Sequence, residues 1–196
     1  MTPDRPPAIA GLLLAGGKGT RMGGQDKGLL LWQGQPMASH VYQVLRQITP
    51  SVYISANRSL NFYEQLAPGH VLPDPENIRY QGPLAGLLIG LKVAAEKGHQ
   101  AVLVCPCDTP EITPAILQQL ITTWQNQPDR PAIAQSHDRT HPLHGVYPVS
   151  LMDDLQAWLN NGNRKVMDFT SAAKAVRVNC PEAQQPLKNR NTPSDL

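Results

Sequence analysis

The sequence carries little net charge, few cysteines and no long apolar run, and each shortage removes a class of function. A formal charge of +2 over 196 residues leaves no dense basic stripe for a nucleic acid or a membrane to meet. Neither partner is expected, whereas a small anionic ligand needs only a few local cations. Three cysteines, Cys105, Cys107 and Cys180, are too few and odd in number for a disulfide scaffold and fit a reducing compartment. The opening MTPDRPPAIAGLLLAGG has a brief apolar run without a small-residue cleavage pattern. A signal peptide and a membrane span are therefore both unexpected, and the expected location is the cytoplasm. The phosphate-loop pattern GxxxxGK[ST] is missing, no GxGxxG precedes a helix, and Cys-x-Cys without a second pair lacks zinc spacing.

With 41% hydrophobic and 16% charged residues, the composition is that of a globular protein, and the length suits one α/β domain across residues 1–196. Short apolar runs alternate with stretches of helical period, which predicts βαβ units and a mostly parallel sheet flanked by helices. Strands are expected at 8–14, 52–56, 70–73, 101–105, 132–135, 145–149 and 175–178. Helices are expected at 37–48, 84–96, 114–124 and 151–159. Thr113 and Pro114 read as cap and first residue of a helix, and Thr192 with Pro193 reads as another helix start.

Chemistry concentrates where these strands end. Leu14, Ala15, Gly16 and Gly17 open a glycine-rich segment that also holds Arg21 and Lys27. Glycines let backbone N–H groups approach a ligand, and the two cations can neutralise a triphosphate. The alternative is a surface loop, which the crowding of these residues behind one strand disfavours. The strand at 101–105 delivers one carboxylate, Asp108, at its C-terminal end. Such a group is expected to meet Mg²⁺, held by one or two carboxylates plus substrate phosphates, or to cap a turn. Gly82 and Gly86 open a helix where either a ring or sugar sits on its N-terminus or Gly86 permits a close helix–sheet contact. Asn57, Asp74, Asn189 and Asn191 are amides and carboxylates at loops, able to bind a nucleotide or to serve as turn residues. Cys105 and Cys107 are expected to be buried packing residues. His141 and His144 are expected to be solvated or to face a partner.

Together these segments resemble the molybdenum cofactor guanylyltransferase family. The matching pieces are LAGGKGTRMGGQDKGLL at 14–30, SANR at 55–58, Asp74, GPLAG at 82–86, CPCDTP at 105–110, HPLHGVYP at 141–148, NRKVMDF at 163–169 and NRNTP at 189–193. The resemblance implies a Rossmann-like three-layer nucleotidyltransferase fold. It also implies transfer of GMP from GTP to molybdopterin, with release of pyrophosphate and Mg²⁺ as cofactor. It places Leu14, Ala15 and Gly16 at the guanine, Lys27 at the phosphates and Asn57 and Asp74 beside the base and ribose. Asp108 is placed at both GTP and the metal, and Arg21, Lys27 and Asp108 form the catalytic set. Gly82, Asn189 and Asn191 fall on the molybdopterin side. Arg190 departs from the family pattern, which usually has an apolar residue there. Molybdoenzyme chaperones or other cofactor-biosynthesis proteins are expected as transient partners. The rivals are a cytidylyltransferase or sugar- or polyol-phosphate nucleotidyltransferase of the same fold, and a non-catalytic adaptor that binds GTP and molybdopterin.

Overall fold

A seven-stranded sheet runs through the middle of the chain, its strands lying side by side in the order Val71–Leu72, Val52–Ser55, Ile9–Leu14, Ala101–Pro106, Arg139–Pro148, Ala132–Ser136 and Val176–Asn179. The computed structural model describes residues 8–17, 25–76, 81–137, 139–183 and 185–190. Arg21, Asn191 and the helix start expected at Thr192 lie outside them. The strands of this sheet are β1 (Ile9–Leu14), β4 (Val52–Ser55), β5 (Val71–Leu72), β6 (Ala101–Pro106), β7 (Ala132–Ser136), β8 (Arg139–Pro148) and β9 (Val176–Asn179). A separate hairpin joins β2 (Leu31–Trp32) to β3 (Gln35–Pro36). It turns through Gln33 and Gly34, both at positive φ, as a tight two-residue hairpin requires. The helices are α1 (Met37–Ile48), α2 (Leu60–Leu66), α3 (Pro83–Glu96), α4 (Pro114–Asn126), α5 (Met152–Asn160) and α6 (Val166–Ala172).

Four of the six pairings in the large sheet are parallel, and β8 is the strand that runs against both its neighbours. Its central strands are buried on both faces, which is why β1 and β6 read as unbroken apolar runs rather than as alternation. The two-residue period of a strand still sorts their side chains. Leu13, Leu103 and Cys105 enter a core with α1, α2 and α4, while Leu12, Leu14, Val102 and Val104 enter a second core with α3, α5 and α6. Three layers result, as the resemblance implies.

The helix expected at 37–48 lies there, and most other boundaries fall within two residues of expectation. Thr113 caps α4 by accepting from the Ile116 N–H, with Pro114 at the first position. Two short helices and the small hairpin went unforeseen, because α2 and α6 have seven residues each, too few to show a helical period. The largest difference is β8, which begins at Arg139 rather than Gly145. Its first half, RTHPLH, contains a proline and two histidines and shows no strand alternation.

Candidate functional site

Four neighbouring parallel strands end level with one another. Leu14 stands opposite Ser55 and Pro106, and Ser55 stands opposite Leu72. Two residues beyond these ends come Asp74 after β5, Asn57 after β4, Gly16 after β1 and Asp108 after β6. The shared register sets four of the expected site residues in a row along the C-terminal edge of the sheet, the usual ligand edge of an open α/β fold. Backbone bonds extend that alignment past the strands, from Ala15 N–H to Ser55 C=O (2.8 Å) and from Cys107 N–H to Leu14 C=O (3.0 Å).

At one end of the row Asn57 and Asp74 hold each other. The Asn57 amide donates to Asp74 Oδ2 (2.7 Å), and the Asp74 N–H donates back to Asn57 Oδ1 (2.8 Å). Both residues are buried. A Cβ at Gly16 would stand 3.0 Å from Asn57 Nδ2, so glycine lets the Asn57 amide lie close against the end of β1.

Asp108, at the other end, is buried with 7% of its surface exposed. Its Oδ2 receives Lys27 Nζ at 3.2 Å and Asn189 Nδ2 at 3.3 Å. Its Oδ1 is buried and has no hydrogen-bond partner among the described residues. A buried carboxylate oxygen left in this way is costly unless a ligand meets it. Among the described residues no three His, Cys, Asp or Glu side chains cluster as a metal cage. The donor set is one carboxylate beside a lysine and an amide. That set suits Mg²⁺, which commonly takes one or two protein carboxylates and completes its shell with phosphate and water.

Lys27 is held by a network that the sequence did not single out. Asp26 Oδ1 accepts from the Gly28 N–H (3.1 Å) and from the Tyr63 hydroxyl (2.9 Å). Arg58 lies 3.9 Å from Asp26 Oδ2 and donates to the Gln25 carbonyl. Gly28 is required here, since a Cβ would fall 2.3 Å from the Tyr63 hydroxyl. Burial, then Cys107 and Asp26, push the Tyr63 phenol well above its usual value, so it remains the donor. The Cys107 thiol is likewise pushed up, by burial first and then by Asp108 and Asp26, and Cys105 by burial alone. Both thiols stay protonated and serve as packing, as expected of them.

His141 and His144 correct the expectation of solvated histidines, for both are buried. The cause is a bulge. Ile133 pairs with Gly145 and Ala134 with His141, so Pro142, Leu143 and His144 are extra residues on β8. Bulges re-aim side chains, and this one brings His144 Nε2 within 2.9 Å of Thr109 Oγ1. The Thr109 hydroxyl donates to the Pro106 carbonyl (3.2 Å), which makes the imidazole the donor to Thr109. Burial, then His141, lowers the His144 value to about 3, so the ring is neutral and braces the residue next to Asp108. Ser136 Oγ lies 2.7 Å from His141 Nε2 in the same way.

At the helix start after Gly82, the close helix–sheet contact is present at Gly86. A Cβ there would lie 2.4 Å from Ser55 Oγ and 3.1 Å from Leu14 Cδ2. Gly82 is the residue before the first turn of α3, at φ +91°, one turn before this contact. Arg164, from the NRKVMDF segment, donates to Gln81 Oε1 and ties that start to the loop between α5 and α6. Asn189, expected on the molybdopterin side, contacts Asp108 alongside Lys27.

The family described as "MobA-like NTP transferase domain" matches residues 11–177. A protein named molybdenum cofactor guanylyltransferase from Pseudomonas fluorescens (strain Pf0-1) is 38% identical, over 100% of this chain and 96% of its own. One of the same name from Pseudomonas aeruginosa (strain LESB58) is 35% identical, over 97% of this chain and 93% of its own. Among solved structures, molybdopterin-guanine dinucleotide biosynthesis protein A from Archaeoglobus fulgidus superposes with a TM-score of 0.77 at 19% identity. It covers 95% of this chain and 94% of its own. A 4-diphosphocytidyl-2C-methyl-D-erythritol synthase from Anaerococcus prevotii DSM 20548 reaches 0.70 at 10% identity, covering 96% and 94%. At those identities the two structures speak to the fold alone.

Proposed function

Taking as premise that the chain belongs to the molybdenum cofactor guanylyltransferase family of MobA-like NTP transferases, we propose that it transfers GMP from GTP to the terminal phosphate of molybdopterin and releases pyrophosphate. The observation that carries this reading is the Asp108 carboxylate at the end of β6. One of its oxygens is shared by Lys27 and Asn189 and the other is buried without a partner among the described residues. Asp108 would hold Mg²⁺, with triphosphate oxygens completing the shell. The ion, when bound, supplies positive charge against the developing pyrophosphate.

The chain's own part is positioning. Lys27 turns its ammonium from Asp108 to the phosphates, and Arg21 adds a second cation from the same segment. Leu14, Ala15 and Gly16 meet the guanine, with Asn57 and Asp74 fixing the far side of the row and Gly82 and Asn191 on the molybdopterin side. A phosphate nucleophile is already ionised at neutral pH, so in-line attack on the α-phosphorus needs no general base. Catalysis rests on orientation and electrostatics. The buried, neutral His144 accordingly braces the site and does not shuttle protons. Cytoplasmic residence and transient contact with molybdoenzyme chaperones or other cofactor-biosynthesis proteins belong to the same reading. No helix of the described residues is long and apolar enough to cross a membrane.

The test is incubation of the protein with Mg²⁺, molybdopterin and each of four nucleoside triphosphates, reading pyrophosphate release. GTP alone should support release, and only when molybdopterin is present. Release with CTP in its place would move the chain to a cytidylyl reaction. None with any nucleotide, while GTP still binds, would make it an adaptor.

A further inference from the structure

We propose that Arg190 is a positioning residue that clamps together the three segments carrying Lys27, Asp108 and Asn189. Arg190 is buried, with 8% of its surface exposed, an unusual place for a guanidinium unless it is paired. Its Nη2 donates to Glu111, three residues beyond Asp108. The guanidinium lies over the Trp32 ring, 4.5 Å from the centroid, and Trp32 sits on the hairpin that follows the Lys27 turn. The backbone N–H of Arg190 donates to the Asp108 carbonyl at 2.8 Å, directly after the residue whose side chain reaches Asp108 Oδ2. One side chain and one amide thus join the strand-end loop, the lysine arm and the C-terminal segment.

The neighbouring contacts fix each arm in turn. His40 Nε2 lies 2.8 Å from the Trp32 carbonyl, and the Met37 N–H bonds the Leu30 carbonyl, so the hairpin is tied to α1. Leu187 is fully buried in the core shared with α1 and α4, which seats the C-terminal segment. Arg190 Nε is buried with no acceptor among the described residues. The Glu111 pair and the indole face therefore carry the compensation for taking this charge out of water. A planar guanidinium can stack and pair at once, which a lysine ammonium cannot.

Two arms test the clamp, and only the second rests on the GMP-transfer reading. In the first, amide hydrogen exchange is followed residue by residue in the wild-type chain and in Glu111→Gln. The variant keeps the shape but leaves the buried guanidinium facing a neutral group. The Arg190 amide should exchange about tenfold faster or more in the variant while amides of the central strands do not change. Unchanged protection at Arg190 would overturn the clamp.

In the second arm, Arg190→Ala and Arg190→Lys are measured with and without Asn189→Ala. Arg190→Ala should lower kcat about tenfold in the wild-type background and about threefold when Asn189 is already gone, because part of its effect passes through that residue. Its effect on the melting temperature should be the same in both backgrounds. Arg190→Lys should recover part of the lost kcat. An equal kcat loss in both backgrounds would reduce Arg190 to a structural role. If wild-type protein releases no pyrophosphate from any triphosphate, the GMP-transfer reading falls and the exchange arm alone decides the clamp.

Discussion

The four parallel strands β5, β4, β1 and β6 and the extension that begins with antiparallel β8 contribute to the candidate site in different ways. In β5, β4, β1 and β6 each strand delivers one residue, two positions past its end, and the common register lines up Asp74, Asn57, Gly16 and Asp108. On the other side β8, β7 and β9 deliver nothing in that row. They reach the site from behind, through a bulge that presents His144 to Thr109 and through the chain beyond β9 that returns with Asn189 and Arg190. In the proposed reading the first half supplies groups that face the ligand, and the second holds those groups still. Substitutions in the two halves should therefore fail differently.

The sharpest break of that contrast is Asp108→Asn, which keeps the shape of the strand end and removes its charge. Turnover should fall about a hundred- to a thousandfold, with the cooperative thermal transition retained. Pyrophosphate release beside a melting curve measures both, and wild-type turnover in a folded variant would take the metal and phosphate role away from Asp108.

Next in size is Lys27→Ala, which removes a charge-assisted bond to phosphate worth roughly ten- to a hundredfold in affinity. GTP should weaken by that amount and GMP much less, since GMP lacks the outer phosphates. Equal losses in calorimetric titration would place Lys27 elsewhere on the nucleotide.

A smaller shift is expected from Gly16→Ala, whose methyl would stand 3.0 Å from Asn57 Nδ2 and crowd the Asn57 amide. The preference for GTP over CTP, as a ratio of kcat/KM values, should drop about tenfold, the scale of one misplaced methyl in a pocket. An unchanged ratio in an active variant means that the base is read by other residues.

Behind the row the signature is stability against pH. Burial, then His141, holds His144 near 3 in the fold, against an ordinary value of 6.5. Above 6.5 neither folded nor unfolded chain is protonated there, and the full stability remains. Between 6.5 and 3 the unfolded chain binds a proton that the fold refuses, so stability falls with pH by up to about 1.4 kcal/mol per unit from this group. Urea midpoints from pH 8 to pH 5 should show the fall. His144→Gln keeps a donor for Thr109 without titrating, so it should flatten the fall and leave turnover within about twofold, as a hydrogen-bond replacement would. A slope that survives the substitution would assign the pH dependence to other groups.

The same division explains what could be read from the amino-acid sequence. Asp108, Gly16, Asn57 and Asp74 were legible because a buried parallel strand announces itself as an apolar run, and the polar residue just past it has few structural uses. Arg58, Asp26 and Tyr63 were not, since the network joins residues 37 positions apart through a short helix with no visible period. His144 was misread because burial here comes from a bulge, and the register between two antiparallel strands is not written in either one. Asn189 was found, yet its contact with Asp108 depends on where the chain returns after β9. Arg190 looked like a departure from a pattern, and Trp32 and Glu111, far away in sequence, give its charge a place.

The row at the sheet edge also acts as a ruler. Adjacent strands stand about 4.8 Å apart, so the three intervals from Asp74 to Asp108 span roughly 14 Å. A lone phosphate or a free sugar can touch one end of that scale, and only an extended molecule can touch both. Because the graduations are backbone spacings, a change of side chain alters what is recognised at each mark and leaves the length being measured unaltered.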